Sequence, residues 1–257
     1  QIKGGASHLR TKVVSKDEIG ELGQNFNEML DRMEELMQKE SQANRLLSQA
    51  EYKALQAQIN PHFLYNTLDT MSSIAEIRDC PEVSMLSQSL SNIFRYCLNM
   101  KDPFSTVAEE VSHLKNYSYV MEMRMHDNVK YFYEIDENVL KDQLPRITIQ
   151  PLVENALNHG LRNKRGGKEI RIAICREDGR LKIEVSDNGV GMDAGKLNED
   201  LAKNDLNYVE KGDSIGLHNI NARIKMLYGD DYGIVIASVL GKGTRVSVTL
   251  PGQEEMQ

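Results

Sequence analysis

The sequence predicts an α-helical hairpin that pairs as a four-helix bundle in a dimer, preceded by a coiled coil and followed by an α+β domain. Apolar residues of the first half recur at helical spacing with few breakers. In the second half, runs rich in β-forming residues alternate with helical runs, and the strands and helices are grouped as in an α+β layer. The 257 residues are 40% hydrophobic and 27% charged, which is typical of a globular chain.

Composition also limits the classes of function and location. The formal charge is −7, and no basic stripe interleaved with aromatic residues occurs, so we expect no nucleic-acid partner. The three cysteines are far apart and outside any CxxC pattern, which is typical of reduced thiols. No apolar run reaches the roughly 20 residues that span a bilayer. Because the chain begins at Gln1 without an initiator Met, we expect a membrane anchor before it and interpret the chain as a cytoplasmic fragment.

The first predicted element, in residues 1–40, is a coiled-coil helix. Its apolar residues are spaced by three and four in turn, as in a heptad seam, and a parallel dimer is the simplest way to bury them, although an intramolecular bundle is also open. The seam consists of Ile19, Leu22, Phe26, Met29, Met33 and Leu36.

Residues 41–126 are predicted to form the dimerisation hairpin. One helical run covers about Ser41–Arg78, with a kink expected at Pro61 because proline removes an intrahelical hydrogen bond. A turn follows at residues 79–81, and a second helix covers Glu82–Met100. The pattern Thr106-Val-Ala-Glu109 is a capping box that opens a third helix ending near Met125.

Residues 127–257 are predicted to form the α+β domain. Helices are expected at about Ile147–His159 and Leu217–Tyr228, and four strands pair as antiparallel neighbours. Residues 192–214 have little periodicity and are predicted to be a long loop that is either disordered or a functional lid. The predicted strands are Val129–Ile135, Glu169–Arg176, Arg180–Asp187, Gly233–Val239 and Thr244–Leu250.

Four short patterns at loop edges carry chemistry only in combination. Asp187-Asn-Gly-Val-Gly191 follows a strand, where its aspartate can accept a hydrogen bond from an exocyclic amine. Ser214-Ile-Gly-Leu217 opens a helix, whose N-terminus favours an anion. Glu154-Asn155 offers oxygen atoms for a hard cation such as Mg²⁺. Gly241-Lys-Gly-Thr244 is a hairpin turn. Each alone is as well explained by an ordinary turn, helix start or solvated helix face.

Their order resembles the N, G1, G2 and GT boxes of the GHKL (Bergerat-type) ATPase fold of sensor histidine kinases. Pro151–Gly160, Asp187–Gly191, Ile215–Asn219 and Gly241–Thr244 carry this resemblance. Upstream, the segment Ala54–Leu68 is similar to the phosphoacceptor segment of LytS/YesM-type histidine kinases. Residues 17–29 resemble the second helix of a HAMP linker, so residues 1–40 are identified as a partial HAMP region with a signalling helix.

The resemblance implies that the second half binds ATP and Mg²⁺. Asn155 would ligate Mg²⁺, and Asp187 would bind the adenine amino group. Residues 192–214 would be the ATP lid, in which Ser214 replaces a common glycine. Asn158 stands near the phosphates, where many other subfamilies have a lysine, so positive charge there would come from Mg²⁺, His159, Arg162 or a lid lysine such as Lys203 or Lys211. The other residues implied at the nucleotide are Gly189 and Gly191, where the backbone passes close to it, Gly216 and Leu217 at the helix facing the phosphates, and Thr244 on the adenine side.

His62 is the histidine that the resemblance identifies as the phosphoacceptor. Helical periodicity places it with Asn66, Asp69 and Ser73, opposite an apolar arc, so it is expected to face solvent. The apolar arc comprises Phe63, Leu64, Thr67, Leu68, Met71, Ile74 and Ala75. Phe63 stands where other subfamilies have an acidic residue, and Glu154 is the candidate that polarises the imidazole. Asn66 is either a catalytic residue that positions a water or a plain exposed amide.

The predicted function is therefore a sensor histidine kinase of a two-component system. We expect a homodimer that autophosphorylates His62 and passes the phosphoryl group to an aspartate of a response-regulator receiver domain. Two alternatives remain at this level. One is an ATP-gated dimeric scaffold without phosphoryl transfer, favoured by the departures at Phe63 and Ser214. The other is a GHKL-type ATPase or chaperone, which leaves His62 unexplained.

Overall fold

The computed structural model describes residues 18–57, 61–98, 102–125, 129–203 and 215–252. The chain divides into one unit that ends at Asn60 and a second that begins at Pro61. The predicted HAMP residues before Glu18 and the departure at Ser214 lie outside the described residues. No described helix combines the length and the apolar character needed to cross a bilayer.

The first unit contains one long helix, α1 (Glu18–Ala57). The sequence predicted a separate helical run from Ser41 that would be kinked at Pro61; instead α1 continues to Ala57 and a new helix begins at Pro61. Proline suits that position because its missing N–H would have no partner in the first turn. Three apolar side chains of the predicted seam, Leu22, Met29 and Leu36, are 69%, 56% and 65% exposed. Pairing of this seam in a dimer stays a prediction.

Helices α2 (Pro61–Ile77) and α3 (Pro81–Leu98) form the predicted antiparallel hairpin. Their shared face is polar and closely packed, because short serine side chains let the two helices approach. The hydroxyl groups of Ser72 and Ser84 lie 2.9 Å apart. The Arg95 guanidinium donates to Asp69 over 2.5 Å. The buried serines are Ser72, Ser84, Ser87, Ser89 and Ser91.

This packing changes the predicted faces of α2. The exposed position of His62 is confirmed. Asp69, which was placed on the same side as His62, is also exposed, and its carboxylate accepts hydrogen bonds from Ser91 and Arg95 of α3. Part of the apolar arc is not covered by α3, since Met71 and Ile74 are 52% and 54% exposed. Ala75 of the same arc is buried, and Leu64 and Leu68 are half-buried, so only part of the apolar side of α2 remains on the surface.

Helix α4 (Val107–Met125) begins at the predicted capping box. The backbone N–H of Thr106 donates to the Glu109 carboxylate over 3.0 Å, and that of Glu109 donates to Thr106 Oγ1 over 3.2 Å. Two short strands that the sequence did not reveal, β1 (Phe104–Thr106) and β3 (Gln143–Pro145), pair with each other beside this start.

The second half contains a five-stranded sheet, whose strands are β2 (Val129–Ile135), β4 (Lys168–Glu177), β5 (Arg180–Asp187), β6 (Gly233–Val239) and β7 (Gly243–Leu250). Their order in the sheet is β2-β4-β5-β7-β6. Strand β2 is parallel to β4, and the remaining neighbours are antiparallel. The five predicted strands are confirmed, with bounds that move by at most one residue.

One face of this sheet packs against α4, α5 (Gln150–Asn155) and α7 (Ile215–Tyr228), which gives the expected α+β sandwich. Strand β4 illustrates the alternation, since Ile170, Ile172 and Ile174 are fully buried, whereas Arg171 between them is exposed and Ala173 is half-buried. A wide helical turn, residues 156–160, extends α5.

The predicted irregular loop after β5 contains a helix, α6 (Gly195–Lys203). The Asn198 side chain binds it to strand β6, accepting from the Ile236 N–H over 3.0 Å and donating to the Ile236 carbonyl over 2.7 Å. This amide takes the place of a neighbouring strand at the edge of the sheet. Such pairing depends on tertiary contact, so the local sequence did not predict it.

Candidate functional site

A cavity of about 240 Å³ opens between the extended helix α5, the start of α7 and the ends of β5 and β7. Most of its wall is apolar, and one carboxylate and several other polar groups project into it. The lining residues are Leu152, Asn155, Ala156, His159, Gly160, Val185, Asp187, Gly191, Met192, Leu197, Leu217, Thr244 and Val246. Chain segments about 90 residues apart therefore contribute to one site, as the four short patterns predicted.

Asp187 supplies the carboxylate at the end of β5. Burial raises the pKa of this carboxyl above its usual range; backbone N–H groups of Gly189 and Thr244 and the charge of Lys164 act against the rise. The Gly189 N–H donates to Oδ1 over 2.8 Å, which fixes the plane of the carboxylate. A buried acceptor held in this way is suited to an N–H donor of a ligand.

Two glycines allow this carboxylate to lie where it does. A Cβ on Gly160 would lie 2.6 Å from the Asp187 carboxylate, and a Cβ on Gly189 would lie 2.0 Å from the Gly160 carbonyl oxygen. The Val190 N–H donates to that same carbonyl over 3.0 Å. Gly189 was predicted to allow close approach of a nucleotide, but the group it approaches in the structure is the backbone of Gly160.

The extended helix α5 presents Asn155 and His159, four residues apart, to the cavity. The Asn155 amide nitrogen donates to the Pro151 carbonyl over 2.7 Å, so the amide oxygen is the atom left for a ligand. Glu154 is exposed and Asn158 is half-buried, and neither lines the cavity. Of the residues predicted on this helix, the structure therefore brings Asn155 and His159 to the site.

Helix α7 begins beside Asn155. A Cβ on Gly216 would lie 3.8 Å from the Asn155 amide nitrogen, which is ordinary contact, and Leu217 lines the cavity. The first four N–H groups of a helix have no intrahelical acceptor, and they carry the positive end of the helix dipole. Asn155 and these N–H groups thus form the polar end of the cavity.

Thr244 and Gly191 complete the opposite side, where β7 begins. Thr244 pairs in register with Asp187, and its hydroxyl lies 2.9 Å from that of Ser238. Gly191 has φ of 65°, and a Cβ there would lie 2.1 Å from the Val239 carbonyl oxygen. The segment after β5 can therefore pass this close to the β6–β7 hairpin only because Gly191 has no side chain.

Sequence reasoning did not identify Gly160, Met192 and Leu197 as site residues. Gly160 ends the quoted segment that begins at Pro151, so a signal for it was present. Leu197 lies on α6, which the sequence presented as an aperiodic loop. Among the described residues, no group of three or more His, Cys, Asp or Glu side chains could hold a metal ion.

His62 lies on the exposed surface of α2, within the first turn of that helix. The Asn66 amide nitrogen lies 3.2 Å from its Nδ1. An amide nitrogen only donates, so this arrangement leaves the ring proton on Nε2. A 180° turn of the amide would let its oxygen accept from Nδ1–H and would leave the Nε2 lone pair directed outward.

Three family models match the chain. The model described as Histidine kinase matches residues 50–129. The model described as Histidine kinase-, DNA gyrase B-, and HSP90-like ATPase matches residues 141–254, and the HAMP domain model matches residues 1–35.

Curated relatives match across nearly the whole chain. This chain is 36% identical over 242 residues to "Sensor histidine kinase YesM" of Bacillus subtilis (strain 168), and the match covers 94% of this chain and 40% of YesM. It is 33% identical to "Sensor histidine kinase BtsS" of Escherichia coli (strain K12), over 82% of this chain and 35% of BtsS. It is 32% identical to "Sensor protein LytS" of Bacillus cereus, over 91% of this chain and 40% of LytS. The chain thus spans less than half the length of each of these relatives.

Proposed function

Because this chain belongs to the sensor histidine kinase family, of the LytS/YesM type, we propose that it binds ATP in the cavity and phosphorylates His62. The observation that carries the proposal is the half-buried Asp187 carboxylate in an otherwise apolar cavity between α5 and α7. The family matches confirm the resemblance predicted from the phosphoacceptor segment and the ATPase boxes.

The cavity has the chemistry that adenine needs. A purine base buries two apolar faces and presents an exocyclic amine, which must find an acceptor once it leaves water. Leu217 and Val246 supply apolar wall, and Asp187 supplies the acceptor. A guanine would place a carbonyl oxygen against the same carboxylate, so this site favours adenine.

The polar end of the cavity fits a Mg²⁺-bound triphosphate. Mg²⁺ uses one or two protein oxygen ligands and takes the rest from phosphates and water, so one amide oxygen from Asn155 is a sufficient protein contribution. The N–H groups at the start of α7 would face the phosphate oxygens. Mg²⁺ supplies neutralisation of charge that develops on those oxygens during transfer.

The acceptor chemistry belongs to His62. In the proposed step the Nε2 lone pair forms an N–P bond with the γ-phosphorus while the bond to the β,γ-bridging oxygen breaks, and ADP leaves with that electron pair. The proton on Nδ1 is then lost to a base or to solvent. Asn66, with its amide oxygen on Nδ1–H, would hold the ring in the reactive tautomer. Glu154 is exposed on α5 and remains the candidate that receives the proton.

Labelling with γ-phosphate-labelled ATP and Mg²⁺ tests the central step. We expect acid-labile, base-stable label on the unaltered chain, none on His62→Gln, and equal ATP affinity for both proteins. Label that persists on His62→Gln would place the acceptor elsewhere. Steady hydrolysis of ATP by the unaltered chain without labelled protein would instead favour an ATPase that has no phosphoprotein intermediate.

The metal role has its own test. Asn155→Ala should weaken Mg²⁺-dependent ATP binding while it leaves the weaker binding measured with EDTA unchanged. Asn163→Ala, an exposed asparagine in the turn after the helix, is the matched control. Equal Mg²⁺ dependence in Asn155→Ala and in the control would remove Asn155 from the metal site.

We further propose the partners that the family implies. A second copy of the chain would cover the exposed apolar side chains of α1 and α2, and a receiver domain would accept the phosphoryl group on an aspartate. The parent protein would be membrane-anchored, with this chain on the cytoplasmic side. Incubation of labelled protein with a receiver domain tests the transfer, because the label must leave His62 as it enters the partner.

A further inference from the structure

Glu110 on α4 is a buried carboxylate that the site described above does not contain. It is 1% exposed, and it accepts three backbone hydrogen bonds from consecutive residues at the approach to α5. Its Oε1 accepts from the Ile147 N–H over 2.6 Å. Its Oε2 accepts from the N–H groups of Thr148 and Ile149, each over 3.0 Å.

These three N–H groups explain why the carboxylate is there. The N–H groups at a helix start have no intrahelical acceptor and are costly to bury without a partner. Ile149 is the cap residue of α5, and no side chain of its own caps the helix. Glu110, which lies on α4, caps the start of α5 instead. The position of α5, and of Asn155 at its last residue, therefore depends on Glu110.

The backbone at Ile147 is held in an unfavourable conformation. Its φ is 56°, the left-handed region, which a β-branched residue rarely adopts. This conformation turns three successive N–H groups toward one carboxylate. Strain of this kind persists only where surrounding contacts impose it. Here those contacts are the Glu110 hydrogen bonds and an Arg223 guanidinium that lies 3.3 Å from the Ile147 carbonyl oxygen.

The same carboxylate also binds the phosphoacceptor hairpin. The Tyr96 hydroxyl, near the end of α3, donates to Glu110 Oε1. The Tyr96 ring stacks on His113 with centroids 4.3 Å apart, and His113 Nε2 lies 2.6 Å from the Gln150 side-chain oxygen at the start of α5. The Arg146 guanidinium lies over the other side of the network, 4.5 Å from the Tyr96 ring. Two routes therefore connect α3 to the helix that carries Asn155, one through the Tyr96 hydroxyl and one through the Tyr96 ring.

We propose that Glu110 and Tyr96 are positioning residues for phosphoryl transfer. Glu110 sets the helix that lines the nucleotide cavity, and Tyr96 fixes the hairpin that carries His62 to the same carboxylate. This inference rests on the proposed kinase function, because it assigns the two residues to the geometry of that reaction. Neither residue touches nucleotide or the reacting atoms.

The two residues predict different kinetic defects. Tyr96→Phe removes only the hydroxyl and leaves the three backbone bonds of Glu110, so ATP affinity stays unchanged. The rate of His62 labelling at saturating ATP falls by about tenfold or more, because small displacements of reacting groups are costly. Glu110→Gln replaces one oxygen that accepts backbone N–H groups by an NH₂ donor. It therefore lets the start of α5 shift and displaces Asn155, so we expect the Kd for ATP to rise by about tenfold and the labelling rate to fall as well.

Tyr133→Phe is the matched control. Its hydroxyl donates to Ser118 over 3.1 Å, it is also half-buried, and it lies on β2 outside this network. We expect this variant to label His62 at the unaltered rate, with a loss of thermal stability similar to that of Tyr96→Phe. A structural role alone would make the two variants equal in both measurements.

The experiment uses the whole chain and measures ATP affinity, single-turnover labelling and the thermal unfolding midpoint for all four proteins. The proposal is overturned if Tyr96→Phe labels at the control rate, or if its rate falls only together with ATP affinity. It is also overturned if Glu110→Gln, folded as judged by its unfolding transition, binds ATP with unaltered affinity. If the unaltered chain carries no label on His62, the kinase function itself fails, and that result is distinct from the others.

Discussion

Replacement of Asp187 by asparagine separates binding from stability. The change keeps the size of the side chain and removes its charge. The exocyclic amine of adenine would lose a hydrogen bond to a charged acceptor, worth about 1.5–3 kcal/mol, so the Kd for ATP should rise about 10- to 150-fold. Inosine triphosphate has no such amine, so its affinity should not fall in Asp187→Asn.

The stability of the fold should not fall with the affinity. Burial raises the pKa of the Asp187 carboxyl, so the charged form is less favoured in the folded protein than in the unfolded chain. The contribution of Asp187 to the free energy of unfolding is fully present below the pKa that its carboxyl has in the unfolded chain. That contribution is lost as the pH rises through the higher pKa of the carboxyl in the folded protein. Because asparagine does not ionise, Asp187→Asn does not undergo this loss of stability at neutral pH. We therefore expect a free energy of unfolding at neutral pH at least equal to that of the unaltered chain.

Calorimetric titration with ATP and with inosine triphosphate, together with urea unfolding at several pH values, measures both effects. Asp178→Asn is the control, since this residue lies in the β4–β5 turn, at the far end of β5, with φ of 51°, which asparagine tolerates. The reasoning is refuted if the preference for ATP over inosine triphosphate is the same in Asp187→Asn and the unaltered chain. A large loss of stability in Asp187→Asn would refute the electrostatic part alone.

Substitutions at three further positions test the packing of the site and of the fold around it. Gly160→Ala should abolish ATP binding and lower the free energy of unfolding by about 1–3 kcal/mol, because its Cβ would lie 2.6 Å from the Asp187 carboxylate; unaltered binding by calorimetry would contradict this. Ile147→Gly should be more stable than Ile147→Ala by about 1 kcal/mol in urea unfolding, because residue 147 has a φ of 56°, which glycine adopts without strain. Alanine is usually the more stabilising of the two residues, so a more stable Ile147→Ala would contradict backbone strain at this position. Asp142→Asn should lower the free energy of unfolding by about 1.5–3 kcal/mol in the same assay, because both oxygens of the Asp142 carboxylate accept from Arg176, at 2.7 and 2.6 Å. A decrease within the error of the measurement would show that solvent screens this ion pair.

The confirmed elements are those whose signals are local in sequence. The predicted strand Glu169–Arg176 is present as β4, and Ile170, Ile172 and Ile174, which alternate along it, are all buried. The capping box needs only residues 106 and 109, three apart, and both of its hydrogen bonds are present. The turn at Asp178 and Gly179 joins β4 to β5, with φ of 51° and 79°. Periodicity and hydrogen bonds within one turn require no knowledge of the rest of the chain.

The predictions that failed concern which element lies against which. The periodicity of α2 located its apolar arc, but it could not show that α3 covers only part of that arc, or that Ser91 and Arg95 of α3 donate to the exposed Asp69 carboxylate. The helix α6 has an anchor, Asn198, whose partner Ile236 is 38 residues away. A local pattern contains neither partner.

The sequence by itself determined the alternation of helices and strands, the family resemblance and the exposed position of His62. Only the tertiary structure decided that Gly189 approaches Gly160, and that one carboxylate, Glu110, holds the start of α5 from 37 residues earlier in the chain. The reason is physical. A side chain's period along its own helix or strand follows from backbone geometry, whereas the group it meets is chosen by packing among distant segments, where burial, strain and hydrogen bonding are satisfied together.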